Sequence, residues 1–182
     1  MTATITAHAR ESKPGPDEFL DYYSRYISLV QNGDVVSTLA AQMKETQALL
    51  RGMPSSKGTY RYAPGKWSLN EMLGHMIDAE RIFGARALRF ARNDPTPVPG
   101  FEQDDYVRGA AFDACALRDL AAELESVRVS TIFFYKHLQE EAWLRRGTAN
   151  GAEVSVRALA YITAGHELHH RKILRERYLT TA

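Results

Sequence analysis

Three of the six histidines in this chain fall inside GHELHHRKIL, Gly165 to Leu174, a run that reads as helix. His166 and His170 stand four residues apart, so on an α-helix they share a face about one turn apart, a spacing from which two imidazoles can bind one metal ion. Two ligands are half a site, and a third has to come from elsewhere. His166, Glu167 and His170 also satisfy H-E-x-x-H, the pattern of zinc proteases in which the glutamate is the general base. Known versions take their third ligand downstream. Here Arg171, Lys172, Arg175 and Arg177 surround a single Glu176 before the sequence stops at Ala182, with no further histidine. The third ligand is therefore expected upstream, and the protease reading is the weaker one.

The helix carrying the pair should start at Ser155, a residue suited to capping. Val156, Leu159, Thr163, His166, His170 and Ile173 then fall on one seam. Both histidines thus take positions that would otherwise be core, which is costly unless their nitrogens find partners. Tyr161, Ala164, Gly165 and Leu168 make a second strip, where Gly165 would let another segment come close. Glu167 and His169 are rotated off the seam.

Three earlier helices have to position the rest. The first should begin after Asp34, with Val36, Leu39, Ala40, Met43, Gln47 and Leu50 facing inward and Gly52 and Pro54 ending it. The second starts at Ser68-x-x-Glu71, a capping box just after Trp67, and buries Leu69, Met72, Leu73, Met76, Ala79, Phe83, Ala87 and Phe90. His75 borders that stripe. Asn93 to Asp113 reads as a long connection, since NDPTPVPG breaks the helix and FEQDDYV is too acidic to continue it. The third helix, about Ala114 to Leu138, has the cleanest apolar period, and Trp143 with the turn residues Gly147, Asn150 and Gly151 leads to Ser155.

Geometry nominates the missing ligand. His75 lies seven residues into the second helix, about 10 Å at ~1.5 Å per residue, and His170 lies about as far from the other end of the last helix if that runs to Tyr178. Antiparallel packing would bring the two to one level. His8 is in the N-terminal tail and His137 is near the far end of its helix, which leaves His75.

Composition narrows the class. A chain of 182 residues with 45% hydrophobic content suffices for one core. We expect residues 1–16, with Pro14 and Pro16, to be a flexible tail, and 17–182 to be a single domain opening on an aromatic segment with Phe19, Tyr22, Tyr23 and Tyr26 whose rings are read as packing. A net charge of +1 with mixed signs gives no footprint for nucleic acid or membrane. No apolar run approaches the roughly 20 residues of a bilayer span, and the single Cys115 has no internal partner. A cytoplasmic protein is expected.

The segments GKWSLNEMLGHMIDAERIF, ARNDPTPVPGFEQDDYV and VRALAYITAGHELHHRKILRERYL resemble the DinB-like (DinB/YfiT) superfamily, a likeness that runs from about Tyr22 onward. It implies an all-α four-helix bundle of down-up-up-down topology with a long crossover between helices 2 and 3, here Asn93 to Asp113. It also implies a divalent-metal site whose ligands correspond to His75, His166 and His170. Relatives include bacillithiol and mycothiol S-transferases, a thiol-dependent maleylpyruvate isomerase and metal-dependent hydrolases, and commonly form dimers.

Three neutral imidazoles leave a divalent ion with open coordination sites, so a water or thiol beside it loses its proton near neutral pH. The expectation is an enzyme activating a thiol or water on a small-molecule substrate, either a low-molecular-weight-thiol S-transferase or a hydrolase. A non-catalytic metal-binding or structural bundle is the alternative, and an H-E-x-x-H metalloprotease a weaker one. The ring nitrogens should converge to within reach of one ion, at about 2.0–2.3 Å each when it is bound. Zinc, nickel, iron and manganese all suit such a set. Asp78 and Glu167 are candidates to orient an imidazole, against the plainer reading of each as a salt bridge. No residue is assigned as general acid or base.

Overall fold

The computed structural model describes residues 8–179. Its elements are α1 (Ser24–Ile27), α2 (Val35–Arg51), α3 (Leu69–Ala91), α4 (Gln103–Gly109), α5 (Leu117–Lys136), α6 (Glu140–Trp143), a hairpin of β1 (Arg146–Ala149) and β2 (Ala152–Ser155), and α7 (Val156–Ile173), which continues as a π-helical turn over Leu174–Tyr178. The four long helices α2, α3, α5 and α7 form a bundle.

Local chemistry fixes where these helices start. Asp34 accepts from Val36 N, and Ser155 Oγ accepts from Ala158 N. At α3, Ser68 and Glu71 close the expected capping box in both directions. Side-chain pairs then set the directions. Gln47 donates to Ala121 O and Arg128 to Leu39 O, so α2 and α5 are antiparallel. Asn70 reaches Cys115 O and Glu80 pairs with Arg128, so α3 and α5 run the same way. Arg145, ahead of α7, donates to Ala91 O at the end of α3, while Tyr178, beyond α7, donates to Trp67 O before the start of α3. These two helices are therefore antiparallel, with their ends held level.

Two apolar clusters fill the bundle. One gathers Leu39, Phe83, Phe90, Tyr135, Trp143, Leu159 and Ile162, and the other Leu50, Leu69, Leu73, Met76, Leu120 and Leu174. Along α7 the buried members of the first cluster end at Ala164, and those of the second begin at Leu174 just beyond it. A polar layer lies between them, and it holds the three histidines of interest and a buried ion group. In that group Arg128 grips Glu80 bidentately at 2.7 Å for both bonds and also pairs with Glu167, which accepts from Thr46 Oγ1 at 2.5 Å.

Three segments differ from the sequence reading. From His8 to Pro16, where part of a flexible tail was expected, the chain lies on the bundle: Ala9 is buried, its amide donates to Glu140 at 2.5 Å, and Arg157 reaches Ser12. Glu18 secures the same segment by accepting from Ser155 and Arg157. Residues 1–7 of that expected tail lie outside the described part. The acidic FEQDDYV is not loop throughout but supplies most of α4, because Asp104 and Asp105 fall in its first turn, where the helix dipole favours acids. The turn before α7 is a hairpin whose Asn150 and Gly151 both have positive φ, 53° and 75°, as a two-residue type I′ turn needs. Val98 of the connection between α3 and α5 bonds to that hairpin through Thr148 and Asn150, which ties the crossover down. Among the described residues no helix is long and apolar enough to cross a membrane.

Candidate metal centre

His75 projects from α3 and His166 and His170 from successive turns of α7, and antiparallel packing brings the three together. His75 Nε2 lies 3.0 Å from His166 Nε2, and His170 Nε2 lies 3.1 Å from the same atom. One ring nitrogen from each of the three can be chosen so that all lie within 4.8 Å of one another, an arrangement able to hold a metal ion. All three side chains are buried, with 4%, 7% and 6% of their surface exposed. The other described histidines are elsewhere: His8 pairs with Glu140 at the surface, exposed His137 lies against Phe133, and His169 is half-buried beside His170.

Their electrostatics suit a cation better than protons. Burial depresses all three basicities, His75 to about 4 and His166 and His170 well below the usual imidazole value, and neighbouring imidazoles depress His166 and His170 further. The rings are therefore neutral at physiological pH. A neutral Nε2 acts either as one donor or as one acceptor, yet His166 Nε2 faces two others of its kind. Hydrogen bonding cannot satisfy that triangle with good geometry, whereas three lone pairs aimed at one cation can. The donor set fits the divalent ions expected from the sequence.

The two carboxylates considered as orienting groups are engaged elsewhere. Asp78 faces Arg81 across 3.9 Å, and Glu167 is taken by Arg128 and Thr46 in the buried ion group. Among the described residues neither is hydrogen-bonded to a histidine. Glu167 is thus not poised as the base of an H-E-x-x-H protease, and His170 Nδ1 is left with no partner.

The walls come from residues that the sequence reading gave no role at the metal centre. Trp67 lies over His75 with ring centroids 4.8 Å apart, and Phe83 stands edge-on to His166 at 5.8 Å. Phe83 is eight residues after His75, about two turns further along α3 and on the inward stripe that His75 borders, so this neighbour was partly readable in the pattern. Tyr26 was not. It sits edge-on to both His166 and His169, each at 5.4 Å, because α1 crosses α7 at Gly165. A Cβ at Gly165 would lie 2.1 Å from Tyr26 O, an overlap with backbone that no side-chain rotation relieves. Gly165→Ala should therefore lift α1 off the bundle, and overpacking of about 1–3 kcal/mol should outweigh the gain in helix propensity. Faster amide exchange over residues 22–30, with α3 and α5 still protected, is the expected signature; unchanged exchange there would show that the close approach is unimportant.

Comparison with known proteins agrees with this architecture. YfiT from Bacillus subtilis, described as a probable metal-dependent hydrolase with an unusual four-helix bundle topology, superposes with a TM-score of 0.64 over 91% of this chain and 93% of its own, at 14% identity. A DinB-like protein of the same organism, YjoA, gives 0.57 over 78% and 86% at 20% identity. At such identities the likeness establishes the fold. Among curated proteins there is no match. The family model of the DinB superfamily matches residues 38–174, a span that includes all three clustered histidines and all four long helices but for the first turn of α2, and this chain belongs to that superfamily.

Proposed function

We propose that this protein is a divalent-metal-dependent enzyme acting on a small molecule, with His75, His166 and His170 as its metal ligands. The observation that carries this reading is the convergence of three neutral, buried imidazole nitrogens between two open cavities. A divalent cation held there supplies Lewis acidity, which lets a water or thiol lose its proton near neutral pH. Burial keeps the three imidazoles unprotonated and so available as donors. Trp67, Tyr26 and Phe83 shield their rings from solvent, which strengthens every charge interaction at the site. The description of YfiT as a probable metal-dependent hydrolase supports water as the activated nucleophile; the superfamily resemblance of the histidine segments equally admits a thiol.

An assay of metal-loaded protein separates the two. Esters and amides are offered without thiol, and low-molecular-weight thiols are offered with an electrophile. Thiol-independent turnover that disappears on chelation is the result expected of a hydrolase, and thiol-dependent turnover that of a transferase. Silence in both arms from protein with a full complement of metal would overturn the catalytic reading.

A further inference from the structure

Two cavities of about 410 and 430 Å³ open onto the histidine cluster from different sides. His170 lines the first, and His75 and His166 line the second. Tyr26 of α1 and Gln103 and Asp104 of α4 line both, so these residues form the partition between them. We propose, building on the metal-dependent reading above, that the substrate is bipartite: a carboxylate-bearing arm enters the first cavity and an uncharged aromatic or aliphatic group enters the second, with the reacting atom between them at the histidines.

The two cavities have opposite character. Arg25 and Lys66 line the first, and among the described residues neither forms an ion pair with a carboxylate. Arg25 is also preorganised. Its guanidinium stacks 3.9 Å from the Tyr22 ring centroid and donates to Tyr26 OH at 2.9 Å, which fixes the fork while leaving donors free. A planar fork of this kind matches a carboxylate geometrically. Asp104 is the one acid lining that cavity, so the cations outnumber it. The second cavity has no lysine or arginine in its wall. Leu20, Tyr23, Phe83 and Phe101 give it apolar surface, while Glu102 and Asp104 set negative charge at the same wall. An anionic group meets two cations against one acid on the first side and two acids on the second, where Arg86 stands behind Tyr23 and Phe101 with its guanidinium bonded to Pro99 O, and this difference sets which way round the molecule lies.

Two hydroxamic acids of the same skeleton test this on the full chain loaded with zinc, by calorimetric titration. One is N-hydroxy-N-methyl-3-phenylpropanamide, and the other carries a carboxymethyl group in place of the N-methyl. The carboxylate should tighten binding by about ten-fold or more, as expected for charge-assisted hydrogen bonds. That advantage, read as the ratio of the two probes' affinities so that any loss common to both cancels, should vanish in the double variant Arg25→Gln, Lys66→Gln. Phe101→Ala should weaken both probes by the same factor. Equal affinity of the wild type for both probes, or a preference that survives in the double variant, overturns the bipartite assignment and leaves the metal reading standing. Failure of both probes to bind zinc-loaded protein removes that reading and this inference together.

Discussion

His170→Ala protein should be purified with less than about a tenth of the metal carried by the wild type, which should hold about one equivalent per chain. The expectation follows from geometry. His166 and His170 are one helical turn apart and His75 closes the triangle from α3, so removing one imidazole leaves two donors and a hole where the third stood. Loss even of a group that merely orients a ligand costs metal affinity about 10–100-fold, and loss of a ligand should exceed that. The fold should survive, because the substitution also removes a buried nitrogen, His170 Nδ1, that has no partner. Thermal melts give the second reading. A ligand at about 1,000 times its dissociation constant adds roughly 4 kcal/mol of stability, so zinc should raise the melting temperature of metal-stripped wild type and leave that of His170→Ala unchanged. Equal metal content and equal zinc-induced shifts in the two proteins would defeat the assignment of the ligands.

Arg128→Met should be the most destabilising single change outside the histidine cluster. Among the described residues Arg128 is the sole cation paired with both Glu80 and Glu167, and all three side chains are almost wholly buried, with 3% and 4% exposure across the pairs. Their charges are compensated only as a set. Removing the arginine strands two carboxylates in a desolvated layer, and breaking a buried pair in this way costs about 3–5 kcal/mol. Denaturant titration of metal-free protein measures the loss. Neutralising the stranded acids should restore much of it, so Arg128→Met combined with Glu80→Gln and Glu167→Gln should be more stable than the single variant. A single variant within about 1 kcal/mol of wild type would show that the group is not the keystone of the polar layer.

The parts legible in the sequence were those specified locally or by period. Ser68 with Glu71, Asp34 and Ser155 announce helix starts because each cap is made within four residues. The level of His75 against His170 followed from counting residues to the helix ends, and the Tyr178 bond to Trp67 O shows why that count was sound. Other features depend on which helices are neighbours, which spacing does not state. Glu80 and Arg128 look like surface charges until α3 and α5 are placed side by side, and Thr46 and Gln42 likewise interrupt the apolar face of α2 while being buried. Asn150-Gly151 marks a turn, but the strands that pair on either side of it are only four residues each, too short to show a period of their own. The walls of the site were hardest, since Tyr26 and Asp104 come from short elements in irregular stretches whose docking is decided by distant residues such as Gly165 and the hairpin.

The crossing at Gly165 bears on how specificity can change. There α1 meets α7 through the main chain of Tyr26, and an interaction of backbone with a bare helix surface asks little of the side chains that flank it. Arg25, which with Lys66 gives the first cavity its charge, and Tyr22, Tyr23 and Leu20, which give the second part of its lining, belong to α1 and the turns that lead into it, the strap over the site. The strap also lies ahead of residue 38, where the superfamily match begins. The same scaffold can therefore hold the histidines while the side chains that cover them vary: substitutions along the leading segment would retarget the pocket while leaving the reactive centre as it is.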